Sequence, residues 1–301
     1  MCYEFTAIFS QVDPGDREMD IMRQDLFEIV EKMPAFPQSV HRILELTSDI
    51  DSDPKVLVAV IQHDPILVMK ILRLVNSPYF GLAQKISSIN HAVVYIGINT
   101  VKNLALSSAT LGVLPRTNAA GFDTGAFLLH SLGTAIIARI LGKKLHVPEQ
   151  EVFDYFVAGL LHDFGKIVLA HFMPGEFRLA LEMARREGVR LYEAERAVLG
   201  TDHMQIGARL GEKWNLPPPV VSCLRNHHGG GNAGRSPLLE EAVVAADQIG
   251  KSLNIGFGGE SRIEPLSAGI TAALGMDVQE IFASLGDVSA EMERALVFIE
   301  P

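Results

Sequence analysis

The sequence predicts an all-α protein in which an N-terminal helical subdomain packs on a second helical subdomain and further helices follow. Three observations predict it. Apolar residues recur at three- and four-residue spacing, aspartate-proline pairs mark helix starts, and no stretch alternates apolar and polar residues as a half-buried strand would.

The 301 residues suffice for one large or two modest domains, and a composition 48% apolar and 21% charged is that of a soluble globular chain. Lys and Arg number 26 against 36 acidic residues, a net charge of −10, so no basic field exists to collect a nucleic-acid polymer. Cys2 and Cys223 make no disulfide framework, which fits a reducing, cytoplasmic setting. Acidic and basic residues from Glu4 to Glu18 interrupt any signal peptide. The longest apolar run, 127–141, contains His130 and Arg139 and falls short of the roughly 20 residues of a membrane span, so no membrane partner is expected.

Residues 1–22 lack a sustained period and carry Pro14-Gly15, a leader or extension. Over 23–115, read as the N-terminal helical subdomain, Leu26, Ile29 and Val30 precede a break at Pro34 and Pro37, and Val40, Ile43, Leu44 and Thr47 resume the helical period. Asp53-Pro54 leads into Val56, Val60 and Ile61, and Asp64-Pro65 repeats the device before a helix to Val75. Asn76-Ser77-Pro78-Tyr79-Phe80-Gly81 is turn chemistry; helices follow from Ile89 and over 99–111.

Three of these segments are specific. Met33-Pro34-Ala35-Phe36-Pro37-Gln38-Ser39-Val40, then Ile71 to Asn76 with Ser77-Pro78-Tyr79-Phe80-Gly81, then Ile89-Asn90-His91-Ala92-Val93 through Asn103-Leu104-Ala105-Leu106, closely resemble the HDOD family, a signalling output domain related to HD-domain hydrolases. The resemblance runs from about residue 25 to about 228. It implies the multi-helix HDOD fold and a role in signal transduction.

The stretch 115–121 is a subdomain boundary, opening an HD-like metal-binding subdomain over 116–255. Asp123 or Thr124 caps a helix ending near Gly142, in which Gly133 and Thr134 leave room beside His130. The next helix, capped near Asp154, carries His162, Asp163 and Lys166 within the apolar run 155–169, with His162 and Lys166 on one face and Asp163 about 100° away. Two metal-binding groups in a dry place need partners, though an Asp163–Lys166 ion pair is the plainer reading.

Pro174-Gly175 starts an amphipathic helix through Arg186, 193–199 is another, and Gly200-Thr201-Asp202 caps one beginning at His203, where Gly207 and Gly211 admit a close neighbour. Pro217-Pro218-Pro219 starts a helix that His227-His228 ends, either as a cation cap or as ligands. The run 229–234 is a glycine loop, and Asp247 stands on an otherwise apolar helix face. The C-terminal extension, 256–301, comprises a glycine-rich connection over 256–260 and two or three amphipathic helices that dock either on the bundle or on another subunit of a homo-oligomer.

Taken in order, His130, His162-Asp163, His203, His227-His228 and Asp247 read as one metal site gathered from several helices. The resemblance to HD hydrolases implies His130, His162, Asp163 and Asp247 for a first metal, and His203 and His227 with Asp163 bridging for a second. His228 is an additional candidate. Imidazole and carboxylate ligation suits one or two divalent transition metals, iron, manganese or zinc, better than calcium. Two cations sharing Asp163 would bring a water between them near neutrality, and Lys166 could neutralise phosphoryl charge, so Asp163 and Lys166 are the candidate catalytic groups.

The HD-GYP enzymes, cyclic-dinucleotide phosphodiesterases, follow the double histidine with Gly-Tyr-Pro and use a glutamate four residues before the first histidine. Here Gly229-Gly230-Gly231-Asn232 and Ala126 stand at those places, so the resemblance stops short of that activity. Two functions are carried forward: a metal-dependent phosphohydrolase acting on a nucleotide or phosphoester, and a non-catalytic module that contacts a signalling protein around a structural or sensory metal. Oxygen chemistry at a di-iron centre ranks below both.

Overall fold

The computed structural model describes residues 28–48, 54–228 and 238–300, apart from isolated positions 29, 32, 34, 114 and 116. The leader expected over 1–22 and the glycine loop over 229–234 lie outside the described residues. Every regular element among the described residues is helical.

The N-terminal part holds α1 Gln38–Ser48, α2 Pro54–Gln62, α3 Pro65–Val75, α4 Ile89–Ile96 and α5 Ile98–Val113. Asp64 caps α3 by accepting the Leu67 N–H at 3.0 Å, and its other oxygen accepts the Ser39 hydroxyl at 2.6 Å, tying α1 to the start of α3. Asn76 explains the turn that follows: its amide donates to the carbonyls of Leu72 and Ile86, both at 2.8 Å, and accepts the Ile86 N–H at 2.7 Å. Gly81, at φ +59°, completes a reversal that a side chain would strain.

The second part holds α6 Thr124–Lys144, α7 Glu149–Leu161, α8 Phe164–Phe172, α9 Pro174–Glu187, α10 Leu191–Leu199, α11 His203–Lys213, α12 Pro218–Asn226 and α13 Leu238–Ser252. α6 is its axis, with α7 and α13 against it. At 21 residues with a mean hydropathy of 1.5, α6 is long and apolar enough to cross a membrane on length and composition, which the sequence reading did not allow; 67% of that window is buried inside the bundle, as in a core helix. Backbones meet where α7 crosses it: a Cβ on Gly159 would lie 2.8 Å from Ala135 Cα.

One expectation fails here. The helix read as capped near Asp154 begins at Glu149, and it stops at Leu161 rather than continuing through Lys166. His162 is its C-cap and Asp163 occupies the N-cap position of α8, so His162 and Lys166 do not share one helix face. Asp154 instead accepts the Asn103 amide at 2.6 Å, joining α7 to α5.

Helices α14 Ala268–Leu274, α15 Val278–Ser284 and α16 Val288–Ala295 follow, then a 3₁₀ turn Leu296–Phe298. The sequence left their docking open. They lie on their own bundle, with Ile270 and Ile281 fully buried in one cluster with Ile137, Leu141, Val243 and Ile249. Phe298 closes an aromatic group with Tyr79 and Phe156, at ring separations of 5.1 and 4.8 Å, so the chain end clamps the N-terminal part to α7. Phe36 stacks on Trp214 at 4.5 Å, and Trp214 meets the edge of Phe164 at 5.3 Å. The N-terminal part thus buttresses the residue next to Asp163.

Candidate metal centre

Six helix positions converge at the centre of the second part. His130 projects from the middle of α6, His162 and Asp163 from the break between α7 and α8, His203 from the first residue of α11, His227 from the end of α12 and Asp247 from α13. All six are at most 2% exposed, as is Lys166. The break before α8 matters. Asp163 makes no capping hydrogen bond despite its N-cap position, and both its oxygens turn into the interior.

Those oxygens face two different clusters. Oδ2 lies 3.4 Å from His130 Nε2 and 3.3 Å from His162 Nε2, and Asp247 Oδ1 closes that group at 3.2 and 3.8 Å from the same nitrogens. Oδ1 lies 3.4 Å from His203 Nε2 and 3.2 Å from His227 Nε2. His228 joins the second cluster, whose ligand-capable atoms all lie within 4.8 Å of one another. The additional candidate His228 thus finds Asp163, His203 and His227 as its neighbours.

The imidazoles are oriented from behind. His162 Nδ1 lies 2.7 Å from the Gly159 carbonyl, His227 Nδ1 lies 3.1 Å from those of Cys223 and Leu224, and His203 Nδ1 lies 2.6 Å from Glu195 Oε2. With the carbonyl acceptors the proton must sit on Nδ1, which leaves the Nε2 lone pair pointing inward. His203 and His227 then present Nε2 atoms 3.3 Å apart. With the His203 Nδ1 proton donated to Glu195, both Nε2 atoms would carry inward lone pairs that a cation between them would satisfy. Asp247 is oriented likewise: Gln248 and Lys251 donate to Oδ2 at 2.9 and 2.8 Å, and Oδ1 is left without a hydrogen bond.

Buried atoms without hydrogen bonds are rare and costly. Here Nε2 of His130 and His162 and Oδ1 of Asp247 are such atoms in the first cluster, and Nε2 of His228 is one in the second. A divalent transition metal would satisfy them, and the donor types suit it. The residues present therefore fit the group that the cluster implies.

The charges agree. Burial would raise the Asp163 carboxyl, but His162, Lys166 and His130 outweigh it and hold the group well below the usual carboxylate range. Asp247 is likewise held low against burial, chiefly by Lys251 and His130. Burial pushes His203 and His228 well down and His162 down, keeping these rings neutral, the form that binds metal. For His130 the aspartates overcome burial and raise it.

Lys166 Nζ donates to Asp163 Oδ2 at 2.6 Å and to the Gly258 carbonyl at 2.9 Å. The plainer reading of this pair is present, but as a buried contact rather than an exposed one.

Several participants escaped the sequence reading. Glu195, fully buried on α10, accepts both the backbone N–H of His203 at 2.9 Å and its Nδ1–H, and burial pushes its own carboxyl well up. Its only sequence signal is an acid on the stripe Leu191, Ala194, Glu195, Leu199. The room beside His130 is not made by Gly133, whose Cβ would meet Ile255; it is made by Gly258, whose Cβ would lie 2.8 Å from the ring. The 256–260 connection, read as a linker without chemistry, lies against the centre.

The described residues form an all-helical bundle around a cluster of histidines and aspartates. The chain belongs to the HDOD family, whose domain model matches residues 33–229. It is similar to an HDOD domain protein of unknown function from Geobacter sulfurreducens, 24% identical over 91% of this chain and 98% of that one, with a TM-score of 0.72. It is also similar to a protein from Shewanella amazonensis SB2B provisionally named a phosphohydrolase, 24% identical over 91% and 97%, with a TM-score of 0.68. These two likenesses show the fold. An uncharacterized protein of Treponema pallidum (strain Nichols) is 28% identical over 230 residues, 72% of this chain but only 42% of the relative, so the chain spans less than half of that protein.

Proposed function

We propose that this HDOD protein acts in signalling and holds two divalent transition-metal ions, iron, manganese or zinc, at a centre that hydrolyses a phosphoester or nucleotide. The observation that carries the reading is the division of Asp163, whose two oxygens face separate imidazole clusters across one carboxylate. When bound, such ions supply Lewis acidity and a nucleophile at neutral pH. His130, His162 and Asp247 would hold the first and His203 and His227 the second, with His228 beside them and Asp163 shared. Glu195 and the Gly159, Cys223 and Leu224 carbonyls fix the tautomers, so the rings need no reorganisation on loading. Lys166, with its ammonium at Asp163, is placed to offset charge on a phosphoryl group. The name of the Shewanella protein points to the same chemistry.

Elemental mass spectrometry of the purified protein beside Asp163→Ala tests it. About two equivalents of transition metal in the wild type, lost in the variant, together with metal-dependent turnover on a panel of phosphomonoesters, diesters and nucleotides, is the expected result. One equivalent would reduce the site to its His130 side. A metallated protein inert toward the whole panel would favour the second reading, a non-catalytic module recruiting a signalling protein around a structural or sensory metal. The burial of every ligand favours that reading, and partner capture surviving Asp163→Ala would support it.

A further inference from the structure

The six convergent groups are at most 2% exposed, with His228 half-buried beside them, and the element over the first cluster is short. Residues 256–260 cross directly over it. A Cβ on Gly258 would lie 2.8 Å and 2.9 Å from His130 Cδ2 and Nε2, and 3.3 Å from Asp163 Oδ2, so bare backbone is in contact with the ligand atoms. Gly256 (φ +61°) and Gly259 (φ +101°) hold backbone conformations that side chains resist, and they flank the contact.

Two lysines join this strap to the centre. Lys166 bridges Asp163 Oδ2 and the Gly258 carbonyl, at 2.6 and 2.9 Å. Lys251 bridges Asp247 Oδ2 and Glu260 Oε1, at 2.8 and 3.4 Å. Both acidic groups of the first cluster are therefore connected through an ammonium to the segment that covers them. The remaining fastenings are few: Phe257 N–H to the Ala126 carbonyl at 2.9 Å, and Leu191 N–H to Glu260 Oε2 at 2.8 Å. The apolar side chains against the strap are Leu191, Leu181 and Phe122, beside Gly259. Phe257 is 45% exposed, and the outer face borders a groove of about 850 Å³ beside Leu181 and Val189, so open space lies on the side toward which the strap would move.

We propose that residues 256–260 are a gate: closed, the strap shuts metal and substrate out of the centre, and access requires release of the Lys166–Gly258 and Lys251–Glu260 contacts. This gives the proposed hydrolase its regulation and rests on that reading for its purpose, while its geometry stands without a metal. It also reconciles a hydrolytic ligand set with ligands that no phosphoester can reach in the closed state.

The test labels histidines with diethyl pyrocarbonate in the metal-stripped full chain and counts modified peptides by mass spectrometry. Exposed His63 is the internal reference. In the wild type, His130, His162 and His227 should label far more slowly than His63. Glu260→Ala removes two strap fastenings without touching a ligand. It should accelerate labelling of the three about tenfold or more, the change expected from losing one charge-assisted hydrogen bond of the closed state, with His63 unchanged. Gly258→Ala, whose methyl cannot fit against His130, should do the same. Unchanged labelling in both variants, or wild-type site histidines as reactive as His63, would overturn the gate. Metal content measured in parallel separates the two ideas. Faster labelling in protein that never takes up metal would refute the metal reading and leave the gate; full metal loading with unchanged labelling would do the reverse.

Discussion

Replacing Gly165 by alanine puts a methyl where the backbone of another helix already stands. An ideal Cβ there lies 1.9 Å from the His203 carbonyl oxygen, 2.7 Å from its carbon and 2.9 Å from its Cα. An ordinary carbon–oxygen contact is about 3.3 Å, so α8 and α11 would have to part by more than an ångström. No flexible side chain can absorb it, because every atom struck is main chain. Overpacking of a close-packed core costs about 1–3 kcal/mol, and a backbone collision belongs at or above the upper end. For a domain of this size about 3 kcal/mol corresponds to a fall in Tm of roughly 6–12 °C. The displaced atom belongs to His203, so the second cluster should loosen as well, and metal content should drop toward one equivalent. Gly207→Ala is the control: its Cβ comes under 3.4 Å of Leu224 Cδ2 alone, at 3.1 Å, with Gly165 N and Cα at 3.4 and 3.8 Å, and a leucine methyl can rotate away. It should cost about 1 kcal/mol or less, in the range of tolerated core changes. Thermal unfolding with metal analysis decides. A Gly165→Ala protein as stable as the wild type, with its metal intact, would refute the account of the α8–α11 contact.

The other predictions follow from the groups behind the ligands. Glu195→Ala leaves the Nδ1–H and backbone N–H of His203 buried without an acceptor; it should cost about 1–3 kcal/mol in thermal or denaturant unfolding and weaken metal binding about 10–100-fold by competition titration. Lys251→Met leaves Asp247 and Glu260 buried without their cation, at a cost of about 3–5 kcal/mol in metal-free protein; saturating divalent metal should restore part of it, and a thermal shift equal to the wild type's would argue against the link. The metal-free protein should lose stability as pH falls below 6.5, since His162, His203 and His228 gain protons near that value when unfolded but are held lower by burial when folded. His130 and Glu195 are raised and act in the opposite sense: His130 stabilises below 6.5 and loses that as pH rises, and Glu195 favours the fold at low pH, so the three depressed imidazoles prevail only below about pH 6.5. Unfolding midpoints that stayed level from pH 7 to 5 would contradict this.

The helices were legible because their signals are local. Asp64 caps α3, Asp123 caps α6 and Asp202 caps α11, each accepting the N–H three residues on, a contact that any chain presenting that aspartate to a helical turn can make. The order of histidines and aspartates was legible too, because metal-binding side chains in apolar runs are conspicuous before anything is folded. The break at His162 was not. Helical spacing continues through 155–169, and neither Pro nor Gly stands at the break, so nothing local distinguishes one helix from two abutting ones; only the docking of α11 against Gly165 and the turning of Asp163 inward decide it. Glu195 was hidden because an acid reads the same whether its helix face meets water or His203. The strap was hidden because glycine has no side chain to announce a contact, and Gly258 acts through the carbonyl and the missing Cβ. The sequence by itself determined most of the helices, their caps and the candidate ligands, since those depend on residues within a turn or two. The tertiary structure alone decided which oxygen of Asp163 faces which cluster, what orients each imidazole and what covers the centre, because those depend on atoms brought together from distant parts of the chain, as His130 is with Asp247 and Gly258.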